Sequence, residues 1–186
     1  MLDTLQIIFW SITYVLIIIA GIQSRNIRKV SMPYGAAIQN FTWEICALII
    51  SHGFWGHIVW LSLDIAIIIL GFLFASSKRH RIVYATLIPV GILIFGAVFS
   101  LENGMLYSSF AIDLLMAIYY LVDRKQLSPK LKIPIAVTKL IGDTCAGLYY
   151  APMAAFVAII AVFVFLCNIV YLYLCIAETK QQAEAK

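Results

Sequence analysis

Four carboxylates sit where an apolar chain has least use for them. Glu44, Asp64, Asp113 and Asp143 each fall about halfway along a hydrophobic stretch. A carboxylate at bilayer depth costs about 2.5–3.5 kcal/mol on insertion scales, so its presence calls for a reason. Four acids at one depth point to a polar chamber inside a helical bundle. Asn40, Trp43 and Glu44 follow the i, i+3, i+4 spacing that shares one helix face. An apolar pocket favours the neutral form of a carboxyl group, and a neutral glutamic acid is a Brønsted acid able to donate. The plainer role is a hydrogen bond tying one helix to its neighbour.

The other acids have companions too. His57, Trp60 and Asp64 follow at i, i+3 and i+7, with His57 towards the outer rim. Asp64 could pair with Lys139 or accept a hydrogen bond from a neighbouring helix. Lys139 and Asp143 stand at i, i+4, the spacing of a salt bridge that makes both charges cheaper to bury. A pair that satisfies itself needs no substrate. Ser109, Asp113 and Met116 share a face, and so do Phe165, Asn168, Tyr171 and Cys175. For the lone amide of Asn168, interhelical hydrogen bonding is the plainer role. Trp10, Trp43 and Trp60 are deep tryptophans, which pack a core or offer π faces to a cation.

The elements that must position these groups are apolar segments. The chain has 186 residues, 63% hydrophobic and 12% charged. A soluble domain averages about 45–50% apolar and about 25% charged, so the composition is that of an integral membrane protein. No alternating ten-residue pattern recurs, which argues against a β-barrel. Seven segments stand out, over 5–22, 33–51, 57–74, 83–99, 105–122, 133–148 and 153–177. Most approach the short end of what spans a core of roughly 30 Å. The expectation is an all-α bundle of seven transmembrane helices in one domain, 1–177, with a charged tail over 178–186. The N-terminus lacks a basic region ahead of its apolar run and reads as the first span rather than a cleaved signal.

Charge orders these spans. Of the 13 Lys and Arg residues, all but Lys139 lie in the first, third and fifth linkers or the tail. The second, fourth and sixth connections hold none. By the positive-inside rule the basic side is cytoplasmic, giving an N-out, C-in topology. The net charge of +4 is therefore a topology signal and not a nucleic-acid-binding patch. Trp43-Glu44-Ile45-Cys46 is similar to Gly142-Asp143-Thr144-Cys145, and a proline, Pro33 or Pro134, opens each segment; this suggests a faint parallel repeat. The four cysteines show no ligand spacing and read as small hydrophobes. No metal or cofactor motif is present.

The stretch Met32-Pro33-Tyr34-Gly35-Ala36, continued by Asn40-Phe41-Thr42-Trp43-Glu44, resembles the second-helix signature of the membrane-bound terpene cyclases of fungal meroterpenoid and indole-diterpene pathways and their bacterial relatives. Asn103-Gly104-Met105 with Asp113-Leu114-Leu115-Met116 is similar to the family's fifth helix. Thr138-Lys139-Leu140-Ile141-Gly142 is similar to its sixth, with Ile141 where a leucine would stand. The resemblance covers most of the chain in layout and is specific around 40–44. It implies a seven-helix enzyme that protonates an epoxide or alkene of a prenylated lipophilic substrate and closes rings through a carbocation cascade. Glu44 matches the first of two acids in that family. The second, in the last helix, aligns with Asn168, and an amide cannot donate as a carboxylic acid does. Asp64, Asp113 or Asp143 then does that work, or the substrate differs, or the chain is not a cyclase.

The enzyme reading takes Glu44, Asp143, Asp64 and Asp113 as catalytic candidates. Asn40, Trp43, Trp60 and Asn168 become substrate-binding candidates. Two other readings compete. Midplane acids suit a small proton-coupled transporter, and acids acting as interhelical glue suit a non-catalytic membrane subunit. The expected partners are the bilayer and a lipophilic prenylated small molecule, without nucleic acid; the sequence does not fix the oligomeric state. A compact chain with short loops suits a multi-pass protein of a bacterial inner membrane.

Overall fold

The computed structural model describes residues 1–24, 41, 44–45, 55–74, 114, 117–118, 121 and 129–184. These residues are all helical apart from the extreme N-terminus and one break. Four α-helices stand among the described residues: α1, Leu2–Ser24; α2, Trp55–Phe74; α3, Pro129–Tyr150; and α4, Ala155–Glu184. The isolated described residues of the expected segments 33–51 and 105–122 are helical as well. The segment 83–99 lies outside the described residues.

The chain divides into two compact units. One holds Met1–Leu16 and Asp113–Lys186, the other Ile17–Ile112. In the first unit α3 and α4 form a hairpin. Pro152 sits in a one-turn 3₁₀ helix, Ala151–Met153, and Ala154 is extended at φ −157°, ψ 137°. Proline lacks the N–H that would continue α3, so the chain breaks and restarts. The Ala154 carbonyl accepts from Ala158 N at 3.1 Å, opening the ladder of α4. So short a connection sends the two helices back antiparallel.

Small residues let these helices approach. A Cβ on Gly147 would stand 3.0 Å from Ala161 Cβ, and one on Gly142 would stand 2.9 Å from Trp10 Cδ1. Both glycines are therefore contact surfaces, one for α4 and one for the indole of α1. On α4 the buried residues are Val157, Ile160, Val164, Asn168, Tyr171 and Cys175, a single stripe at helical spacing. The opposite face is apolar and open, with Ile159, Val162, Phe163 and Leu166 each more than half exposed.

The outer surface of the described residues departs from that of a water-soluble protein. Gln6, Thr13, Asp64, Lys132, Lys139, Asp143 and Asn168 are buried, as are Ile7, Ile17, Ile67 and Val157, while many other isoleucines, valines, leucines and phenylalanines face outward. Lipid reverses the usual preference: apolar side chains lose nothing by facing it, and polar ones must meet each other. Two described helices, over Leu2–Gln23 and Ala155–Glu184, are long and apolar enough to cross a membrane. Together these features point to a membrane protein.

Two boundaries differ from the sequence reading. The last helix continues through Glu184 rather than giving way at residue 178. Lys132, expected in a basic linker, lies inside α3 and is 2% exposed. The reason is one contact: Lys132 Nζ donates to Glu178 Oε2 at 2.8 Å, so each charge makes the other's burial tolerable.

Candidate functional site

Two polar clusters carry the titratable chemistry, one in each unit. In the unit Ile17–Ile112, His57 occupies the first turn of α2, and Glu44 is helical in the segment that precedes it. Glu44 Oε2 and His57 Nδ1 lie 2.6 Å apart. Both side chains are largely buried, at 15% and 17% exposure. A carboxyl and an imidazole at that distance share one proton. With the acid neutral, its O–H donates to the ring nitrogen; with the acid ionised, the ring N–H donates to the carboxylate. The pair can therefore move a proton between its members without rearranging heavy atoms.

One helical turn on, Trp60 packs edge-on against His57, with ring centroids 5.8 Å apart. Its Nε1 is buried and has no hydrogen-bond partner among the described residues. One further turn along α2, Asp64 is fully buried. The expected stripe His57, Trp60, Asp64 is thus real. It also separates two acids that the sequence puts at one depth: Glu44 meets the first turn of α2, and Asp64 lies seven residues further on, about 10 Å of helix rise. Asn40, Trp43 and Asp113 lie outside the described residues.

The second cluster ties α1, α3 and α4 together in the other unit. Lys139 Nζ donates to Asp143 Oδ2 at 2.7 Å, the i, i+4 pair that the spacing allows. Asn168 on α4 donates from Nδ2 to that same oxygen. The ammonium also lies 4.6 Å from the ring centroid of Trp10 on α1, within range of a cation–π attraction. Trp10 in turn packs against Tyr14 at 5.7 Å. One turn away, Thr138 donates to the Pro134 carbonyl at 2.9 Å and accepts from Thr13 at 2.8 Å. Three helices thereby converge on one buried ion pair.

The satisfaction of this cluster is one-sided. Asp143 Oδ2 receives two donors. Asp143 Oδ1 and Asn168 Oδ1 receive none among the described residues, although both are buried. Asn168 therefore acts on Asp143 through its N–H₂ group.

Sequence reading placed Asp143 with Lys139 and gave Asn168 an interhelical hydrogen bond, and these prove to be one network. It did not pair His57 with Glu44, and it missed Lys132 and Glu178 altogether. The signal available for His57 was its type, since an imidazole beside an acid-bearing segment is a ready partner. No trio of His, Cys, Asp or Glu able to hold a metal occurs among the described residues. No protein-family model, curated protein or solved structure matches the chain.

Proposed function

We propose that this chain is a multi-pass membrane enzyme of the terpene-cyclase type, with seven spans in an N-out, C-in arrangement, working in a bacterial inner membrane. Glu44 gives its carboxyl proton to an epoxide oxygen or alkene carbon of a prenylated lipophilic substrate. The C–O bond opens or the double bond is consumed, and a carbocation forms that closes rings. Loss of a proton from the final cation ends the cascade. His57, a neutral imidazole once Glu44 has donated, takes up the proton lost from the final cation and, as the imidazolium, returns it to the Glu44 carboxylate.

The observation that carries this reading is the largely buried Glu44–His57 contact at 2.6 Å, with Trp60 packed against His57. Protonating so weak a base calls for an acid withdrawn from water and a means of reloading it. Aromatic walls such as Trp60 tolerate a passing cation. The motif around Glu44 supplies the substrate class.

Purified chain in detergent, given a prenylated epoxide, tests it. Glu44→Gln is expected to abolish cyclised product, because an amide has no acidic proton to give. Unchanged turnover would remove Glu44 from the role. The same pair would also serve proton-coupled transport, and the assay separates the two readings. Detergent offers no sealed compartment, so product formed there belongs to an enzyme.

A further inference from the structure

We infer that Asp143 and Asn168 together form a binding site for one hydroxyl group of a lipophilic ligand. Two oxygens of this pair, Asp143 Oδ1 and Asn168 Oδ1, are buried and accept nothing among the described residues. Both residues are more than nine-tenths buried. They are joined by the Asn168 Nδ2 bond to Asp143 Oδ2, so the two acceptors flank a single hydrogen-bonded junction. Leaving a buried acceptor unmet costs free energy, and more for a charged one. A guest that donates relieves that cost.

The chemistry of the guest follows from what the cluster offers. Its donors are engaged: Lys139 on Asp143 and over the face of Trp10, and Asn168 Nδ2 on Asp143. What is left over is acceptors, so the site selects an O–H and discriminates against an ether or a ketone. The charges of Lys139 and Asp143 already balance, which favours a neutral guest over a cation. The outward faces of α1 and α4 are apolar, with Ile8, Ile12, Phe163 and Leu166 exposed, so a guest arriving from that side is lipid-soluble. An alcohol on a hydrocarbon body meets all three conditions. The inference does not depend on Glu44, which belongs to the other unit.

Native mass spectrometry of the full chain, released from detergent with dodecanol or with dodecyl methyl ether, tests it. The two probes share a hydrocarbon body and differ in the single donor. The alcohol adduct is expected to be at least about tenfold more populated than the ether adduct, the discrimination of one good hydrogen bond. Asn168→Leu removes one of the two acceptors, leaves Asp143 Oδ1 in place, and should weaken the preference without erasing it. If that variant loses its helical circular dichroism, Asn168→Ala supplies the same readout with less bulk. Equal adducts for the two probes would overturn the inference. So would an adduct of water alone, which makes the guest a structural solvent molecule. A protonated-carboxyl infrared band that disappears in Asp143→Asn would overturn it too, because one proton bridging Asp143 Oδ1 and Asn168 Oδ1 would occupy the site instead.

Discussion

At the scale of single residues, the consequential contact is the one between Glu44 and His57. If His57 reloads the acid, its loss slows the return to the neutral state rather than the donation itself. His57→Gln keeps a polar side chain of similar reach but cannot relay a proton. The expected outcome is a lower kcat with product still formed, whereas Glu44→Gln should form none. A pre-steady-state experiment separates them: His57→Gln keeps a first turnover and loses the later ones. If His57→Gln were as inert as Glu44→Gln from the first turnover, His57 would be structural. The Lys139–Asp143 pair carries a stability prediction instead. Asp143→Leu leaves a buried ammonium without its carboxylate, which costs about 3–5 kcal/mol. Lys139→Met combined with Asp143→Leu removes both charges and should recover much of that loss. Thermal unfolding in detergent measures both, and additive losses in the double variant would mean that the two residues do not act as a pair.

At the scale of elements, the close approaches set the limits. Gly142→Ala places a methyl 2.9 Å from Trp10 Cδ1, so the indole must move away from Lys139. Overpacking of this kind typically costs about 1–3 kcal/mol. Gly147→Leu should do comparable damage, since its Cβ already meets Ala161 at 3.0 Å. A lower unfolding temperature in each, with helical content kept, is the expected reading. How much of this was legible beforehand depended on sequence separation. Lys139 and Asp143 are four residues apart, and helical geometry alone makes them neighbours. Four helices fall on expected apolar segments, and two of them, α1 and α4, are runs of bilayer length, for which few other structures are open. Glu44 and His57 are 13 residues apart, and Lys132 and Glu178 are 46 apart. Helical periodicity says which face a residue occupies but not which face of another helix it meets. Lys132 was hidden for a second reason: beside Lys130 it looks like one more loop cation, and only its partner on α4 explains why it is buried.

At the scale of the whole molecule, the hairpin supplies a test of the proposed topology. Lys132 lies near the start of α3 and Glu178 near the end of α4, yet they meet at 2.8 Å. The two helix ends are therefore at one end of the hairpin. Lys130, exposed in the first turn of α3, and Lys180, near the end of α4, are carried to that same end. An arrangement that put the fifth linker and the C-terminus on opposite sides is incompatible with this contact. The positive-inside rule then makes a sharper demand than the count of charges does, because Lys132 is committed to Glu178 and is not a linker charge. In the proposed topology, retention on the cytoplasmic side then falls to Arg124, Lys125 and Lys130. A reporter fused after residue 186, of a kind active only in the cytoplasm, should be active in the natural chain. It should stay active in Lys132→Met, which alters the hairpin but not the linker charge. Replacing Arg124, Lys125 and Lys130 together by Gln should reduce the correctly oriented fraction, since those side chains carry the retention signal. A reporter active only outside would reverse the topology, and equal effects of Lys132→Met and the triple replacement would mean that the ion pair, rather than the linker charges, sets the orientation.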